Sequence, residues 1–345
     1  MIIGYVPQST SLQHPADRRR VVYWAKDRGH EVTQDLTRVV DVYLLSGVAD
    51  FTMVPKLQRR APVIIDLIDG YLLPQNPLLD LLRGFGKELV ARNIGVPSKY
   101  TTILSKALSQ ADGVLCATPE QKNAISFFNP RCFDVLDFHE EFPFRKYDSR
   151  TVQVNKILWE GQPYTISGLS AIQKQLKQIS VRNDFELTLV TDTQTPRYLG
   201  KFGTVETSKR IVHLEKILRD KIKLHPWSIQ TVIEETQNAA VSLLPLDKKN
   251  FLNPLKPENR LLIMWRLGVP CLASPNLAYQ RVMSLAGIQN VCNSQEEWSD
   301  QIISILENPK EQKEIVEKGQ AYIQQFHGLN DTLLKWDEAF ESIVL

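Results

Sequence analysis

The residues best placed to do chemistry lie in the run AAVSLLPLDKKNFLNPLKPENRLLIMWRLGVPCLASP, from Ala239 to Pro275. An apolar strand, Ala240–Leu244, runs into Pro245. A polar loop follows, then a helical pattern over Glu258–Leu267, and Gly268-Val269-Pro270 leads into a second strand, Val269–Ala273. Lys256 stands just before that helix, with Asn259 and Arg260 in its first turn. A helix N-terminus carries unpaired N–H groups and roughly +0.5 of a charge, so it attracts phosphate and repels cations. Two cations there cost stability unless an anion lies between them, and a local conflict of that kind is expected at a functional site. Together Lys256 and Arg260 would neutralise a diphosphate. The same pattern also describes a solvated polar loop ahead of an ordinary core helix.

Other candidates sit at strand ends. Asp66-Leu67-Ile68-Asp69-Gly70-Tyr71 closes an apolar run, where a carboxylate can serve as a base or orient an acceptor hydroxyl. Asp69 is the better placed of the two, because Asp66 lies within the apolar run; Asp-Gly is equally the signature of a turn. His14, with Asp17 nearby, occupies the loop after the first strand and is a second candidate for the acceptor side, though a lone loop histidine is also an ordinary surface residue. His139, followed by Glu140 and Glu141, is read with the same caution.

The elements that must position these residues alternate in type. Ile2–Val6, Val42–Leu45, Val63–Leu67 and Gly113–Ala117 are short apolar runs flanked by breakers, which reads as buried strand. A helix is expected over Arg18–Arg28, ended by Gly29, and another after the cap Thr118-Pro119-Glu120-Gln121. The pattern restarts with Lys156–Trp159 and Glu186–Thr191, beyond a charged, aperiodic stretch, Phe138–Thr151, that reads as a linker. The final part is helical: Ser294 with Glu297 forms a capping box, and Lys310–Phe326 and Asp331–Ile343 follow, with Trp336 and Phe340 on one face. The fold class expected is α/β, with two doubly wound Rossmann-like domains facing across a cleft and a helical C-terminal segment. Residues 1–150 form the first domain, with the last helix, 330–345, packing back on it, and residues 151–329 form the second. In such sheets ligands sit beyond the carboxyl ends of the strands.

Composition narrows the function classes. Over 345 residues the chain is 43% hydrophobic and 23% charged, with 41 Lys+Arg against 39 Asp+Glu. That balance is globular, long enough for two cores, and excludes a dedicated nucleic-acid binder. Cys116, Cys132, Cys271 and Cys292 are widely spaced without a C-x-x-C pair, which argues for reduced, buried thiols in a cytoplasmic protein. The opening MIIGYVPQST is not a signal peptide, and no apolar run is long enough to span a bilayer. Leu78–Lys99 mixes leucines with Arg83, Lys87, Arg92 and Lys99, the composition of a helix that can rest on anionic lipid and also of an ordinary amphipathic helix. Gly84-Phe85-Gly86 follows no strand and lacks a third glycine, so a nicotinamide-dependent oxidoreductase is disfavoured.

The order strand, Leu-Pro, loop, Lys-Pro-x-Asn-Arg-Leu, helix, Leu-Gly-Val-Pro, strand, Ser resembles the donor site of GT-B glycosyltransferases of the group 1 type, the glycogen-synthase-like retaining enzymes. Leu158-Trp159-Glu160-Gly161 resembles the strand and glycine that open the donor domain, His225-Pro226-Trp227-Ser228 the loop near the nucleotide base, and Ala111–Gln121 the close of the acceptor domain. The resemblance covers nearly the whole chain, but only 239–275 is specific. It implies a sugar transfer from a nucleoside-diphosphate sugar to a glycan or lipid-linked acceptor, with Lys256, Asn259 and Arg260 on the diphosphate and Gly161, Trp227 and Ser228 lining the nucleoside side. No Asp-x-Asp motif occurs, which fits cation-assisted chemistry with no metal or other cofactor. Trp227 reads equally as a core aromatic. The chain departs from the family pattern in three places. Leu255 and Ile263 stand where many group 1 enzymes carry paired glutamates, Gln162-Pro163-Tyr164 replaces the basic residues after Gly161, and Gln8-Ser9-Thr10-Ser11 replaces a glycine-rich turn. The alternative these departures leave is a catalytically inactive GT-B-like protein that binds a glycan or a partner.

Overall fold

The structure is a computed structural model that describes residues 1–70, 80–81, 99–149, 151–196, 203–214, 216–247, 250 and 252–344. The chain forms two compact units. The first comprises Met1–His139, Pro254–Pro257 and Gly328–Leu345, and the second Glu140–Asn253 and Glu258–His327.

The first unit is built on a six-stranded sheet in the order β2-β1-β3-β4-β5-β6: Ile2–Val6 (β1), Glu31–Thr33 (β2), Val42–Ser46 (β3), Val63–Leu67 (β4), Gly113–Cys116 (β5) and Cys132–Asp134 (β6). Every pairing is parallel. The central strands β3, β4 and β5 are buried along their whole length because both faces are covered, and alternate residues feed two separate cores. Tyr43, Leu45, Val63 and Ile65 pack with Leu104 and Leu108 of the helix Tyr100–Gln110. Val42, Leu44 and Ile64 pack on the opposite face with Trp24, Trp336 and Phe340. The C-terminal helix Leu329–Val344 supplies the last two, and Asp337 on its flank accepts from Trp24 Nε1 at 2.7 Å. That helix approaches β5 so closely that a Cβ on Gly113 would stand 2.1 Å from Ile343 Cδ1.

The single helix expected over Arg18–Arg28 is broken. A short turn, Pro15–Arg18, is followed by Val21–Arg28, with Arg20 out of helical geometry at φ −124°, ψ −117°. The cause is the side chain of Arg20, which is drawn inward to Asp66 (Nη2 to Oδ1, 2.6 Å) and Asp137 (Nη1 to Oδ1, 2.9 Å) and is fully buried. Helix periodicity does not register a pull exerted by residues so far along the chain. Gly29 ends the second piece in left-handed geometry, φ 69°.

The second unit carries a five-stranded parallel sheet, β11-β8-β7-β12-β13: Gln153–Glu160 (β7), Glu186–Thr191 (β8), Ile222–Pro226 (β11), Ala239–Leu244 (β12) and Cys271–Ala273 (β13). Gln194–Pro196 (β9) and Thr204–Glu206 (β10) form a separate antiparallel pair that periodicity did not announce. His225 and Pro226, expected in a loop, are the last residues of β11, and His225 Nδ1 lies 3.2 Å from Glu235. The stretch expected as a linker is partly ordered on this unit: Arg266 binds Phe142 O at 2.8 Å and Glu140 at 3.1 Å, and Arg145 N donates to Arg266 O. Helices Gln295–Glu307 and Pro309–Phe326 complete it, the first capped by Ser294. Within each sheet the chain reverses its winding at one point, between β1 and β3 in the first and between β7 and β12 in the second, and crevices of this kind hold ligands in open α/β sheets. All four cysteines are buried and free. Among the described residues no helix is long and apolar enough to cross a membrane. The lipid-facing reading of Leu78–Lys99 falls almost entirely outside the described residues.

Candidate functional site

The carboxyl end of the second sheet gathers one set of candidates. β7 ends at Glu160-Gly161, and β12 continues through Pro245 to the helix Asn259–Arg266. These two strands flank the winding reversal. Arg260, in the first turn of that helix, donates from Nη1 to the carbonyl of Glu160 at 2.7 Å. Its Nε and Nη2 are buried, and no carboxylate or carbonyl among the described residues accepts from them, the Tyr279 hydroxyl being the one polar side chain there that meets the guanidinium. A buried cationic donor left unmade is costly, about 1–3 kcal/mol or more, and is rare enough in native proteins to call for a cause. The charge of Arg260 also acts on the buried Tyr279 phenol, whose pKa is raised by burial and held down by the guanidinium. Gly161 makes room for this arrangement: a Cβ there would meet Arg260 Nη1 at 2.8 Å and Thr165 Oγ1 at 3.0 Å.

Glu160 reaches the other way. Its Oε1 accepts from Trp227 Nε1 at 2.8 Å, so the indole spans the end of β8, where Trp227 N also donates to Thr191 O at 3.0 Å. Trp227 is therefore half-exposed at the strand ends and not a core aromatic. Neighbouring Ser228 is exposed and caps the helix Ile229–Thr236, accepting from Thr231 N at 2.9 Å. Sequence reasoning did not single out Glu160, which joins Trp227 to Arg260, and its position immediately before Gly161 was the available signal.

The absent glutamates are replaced by core residues, Leu255 at 7% exposure and Ile263 at 3%. Glu258 does not stand in for them. It is buried at the head of the helix and engaged by Arg281 at 2.8 Å. Asn259 is half-buried beside it.

The first unit gathers the remaining candidates. Asp66 is fully committed to Arg20, which grips both its oxygens, 2.8 and 2.6 Å. Asp69 lies just beyond the end of β4, partly buried, and desolvation pushes its pKa up to about 6, with Lys256 holding it down and Asp137 pushing it further up. Lys256 belongs to this unit through the Pro254–Pro257 segment, so the two cations read from sequence as one site fall in different units, Arg260 being in the second. His14 caps the turn Pro15–Arg18, its Nδ1 accepting from Ala16 N at 3.2 Å, and burial lowers its pKa. The loop before it is shaped by Asp17, which is buried and accepts from Tyr5 OH (2.6 Å), Gln8 N (2.8 Å) and Ser9 N (2.9 Å). His139 is buried, at 4% exposure, and not a surface residue.

No protein-family profile matches the chain, and no curated protein does. Solved structures do. The chain superposes on Anabaena HepE, solved with UDP and glucose, with a TM-score of 0.66 at 11% identity, covering 99% of this chain and 100% of that one. Sucrose-phosphate synthase from Thermosynechococcus elongatus gives 0.63 at 12% identity, covering 98% and 80%. TarM gives 0.62 at 12% identity and 92% coverage, and the chain spans only 57% of TarM's length. This chain has the GT-B glycosyltransferase fold. At such low identity the GT-B likeness speaks for architecture, and chemistry must be argued from the residues.

Proposed function

We propose that this GT-B chain is a glycosyltransferase that moves a sugar from a nucleoside-diphosphate sugar to a glycan or lipid-linked acceptor, with retention of configuration. The observation that carries the reading is Arg260: a guanidinium at a helix N-terminus, beside the winding reversal, whose buried Nε and Nη2 find no carboxylate or carbonyl acceptor among the described residues. A donor diphosphate supplies that missing acceptor, and fixed cations then stabilise the charge that develops as the glycosidic bond breaks. Lys256, four residues earlier, is the second cation and Asn259 a neighbouring donor of hydrogen bonds. On this reading no divalent metal is needed, and chelation by EDTA leaves transfer intact. Trp227, held by Glu160, presents its indole to the nucleoside, with Gly161 leaving the approach open and Ser228 beside it. Asp69 and His14 serve the acceptor, Asp69 as the base. Four buried free thiols support a reducing, cytoplasmic setting, and a peripheral contact with anionic lipid would serve a lipid-linked acceptor.

The test is calorimetric titration of UDP, GDP, ADP and dTDP into the parent, Arg260→Ala and Gly161→Ala. The parent is expected to bind one of them, and Arg260→Ala to bind it at least tenfold more weakly, in line with about 1.5–3 kcal/mol for a charged hydrogen bond. Gly161→Ala, which thrusts a methyl group at Arg260, is expected to weaken binding similarly. Equal affinity in all three proteins removes Arg260 from the diphosphate.

A second reading, an inactive GT-B-like binder, is favoured by Leu255 and Ile263 in the core and by Glu258 being engaged by Arg281. Nucleotide binding without turnover or hydrolysis of any nucleotide sugar would select it.

A further inference from the structure

One buried amide in the first unit is joined to three separate stretches of chain. Gln121, in the first turn of the helix Pro119–Ile125, has no exposed surface. Its Oε1 accepts from Ala117 N at 2.8 Å. Its Nε2 donates to Ile68 O at 3.1 Å and to Leu255 O at 2.8 Å. Both N–H donors and the carbonyl oxygen of the amide are engaged, and only one orientation satisfies them, because a flipped amide would set N–H against N–H and oxygen against two carbonyls. The partners are not arbitrary. Ile68 immediately precedes Asp69, and Leu255 immediately precedes Lys256. Leu255 is itself buried, so the Pro254–Pro257 segment lies in the first unit as a strap with its one cation at Lys256.

We propose that Gln121 is a positioning residue that clamps the Pro254–Pro257 strap to the loop after β4 and so presents the Lys256 ammonium to the Asp69 carboxylate. The clamp acts on both neighbours at once through the backbone: it fixes the carbonyl one residue before each charged side chain. Lys256 from the strap and Asp137 from the segment after β6 are the charged groups that act on Asp69. Asp137 is itself drawn to Arg20, and Asp66 on the same strand as the loop is gripped by Arg20 as well. The helix carrying Gln121 presents an uncharged amide to this cluster, so the clamp can be altered without adding or removing a charge. The inference deepens the reading of Asp69 as the acceptor-side base and rests on it for its functional meaning. The clamp itself can be tested without any substrate.

The experiment is a carbon-detected NMR titration of full-length protein labelled with carboxyl-13C aspartate, with the Asp69 resonance assigned by Asp69→Asn. The parent is expected to show Asp69 titrating near pH 6. An ammonium facing a carboxylate favours the charged form, so losing it raises the midpoint, by about one pH unit. Lys256→Met is therefore expected to move the Asp69 midpoint upward by that amount. Gln121→Met, which is neutral and of similar volume, is expected to do the same. The double variant is expected to go no further than either single one, because both act through the same ammonium. If Lys256→Met leaves the midpoint in place, Lys256 does not face Asp69 and the proposal falls. It falls equally if Lys256→Met moves the midpoint and Gln121→Met does not, or if the two shifts add. Should Gln121→Met lose its fold by circular dichroism, Gln121→Asn keeps the amide but cannot reach Leu255, and the same outcomes apply. Midpoints that move as expected while Asp69→Asn transfers sugar at the parent rate would uphold the clamp and dismiss the base.

Discussion

At the scale of single residues, two of the candidate side chains are held in costly states. Arg260 keeps buried Nε and Nη2 groups without a carboxylate or carbonyl acceptor among the described residues, and Asp69 keeps a carboxyl in surroundings that disfavour its charge. The second has a consequence for stability that can be given a sign. The native pKa of Asp69 is pushed up to about 6 from an ordinary value of 3.8. Between these values the native state holds the proton more tightly than the unfolded chain, so stability falls as pH rises through that window. Above about pH 6 the whole penalty is present, on the order of 1–3 kcal/mol. Asp69→Asn is therefore expected to unfold at higher denaturant concentration than the parent at pH 7, with the advantage gone below about pH 4. In the same variant sugar transfer should collapse, whereas in the parent the rate should climb as pH rises through about 6. A variant no more stable than the parent at pH 7 would show that the carboxylate is well solvated.

At the scale of elements, each unit uses strand ends as a platform and helix starts as the tool. In the second unit the helix Asn259–Arg266 sets Arg260 over Glu160, and the helix Ile229–Thr236 sets Trp227 at its mouth. Ser228 shows how one residue can be read twice. Its hydroxyl accepts from Thr231 N at 2.9 Å and pairs with Thr231 Oγ1 at 2.7 Å, which is the work of a helix cap. Ser228→Ala is expected to cost about 1 kcal/mol of stability in urea denaturation and to leave nucleotide affinity within twofold. A tenfold loss of affinity with unchanged stability would return Ser228 to the nucleoside. In the first unit the element that matters is the turn broken at Arg20, where a buried cation between Asp66 and Asp137 takes precedence over helix continuity.

At the scale of the whole molecule, the chain order does not follow the units. The first unit is completed by the Pro254–Pro257 strap and by the C-terminal helix, both encoded after the second unit has begun. That helix buries Leu333, Trp336, Phe340 and Ile343 in the first unit's core, Trp336 against Trp24 with centroids 5.8 Å apart. Removal of a single buried aromatic costs about 3–5 kcal/mol, and several exceed the 5–15 kcal/mol that keeps a domain folded. A chain ending at His327 is expected to lose protease protection throughout residues 1–139, read by mass spectrometry of the fragments. Retention of that protection would mean the helix is dispensable.

The sequence by itself determined most of the central strands and the helix caps. Ile2–Val6, Val63–Leu67 and Glu186–Thr191 read as buried strands because short runs rich in apolar and β-branched residues between breakers have few other uses, and each is a strand with those ends. Thr118 and Ser294 were legible as caps because capping depends on residues three apart, and both make the expected bonds. What only the tertiary structure decided depends on partners far away in the chain. Arg20 leaves its helix for Asp66, Glu160 holds Trp227 across β8, Glu258 is taken by Arg281, and Gln121 meets Leu255. Propensity, period and capping act over a few residues. A side chain's partner is chosen by the packed core, which brings distant residues together and leaves each buried polar group only the neighbours that packing provides.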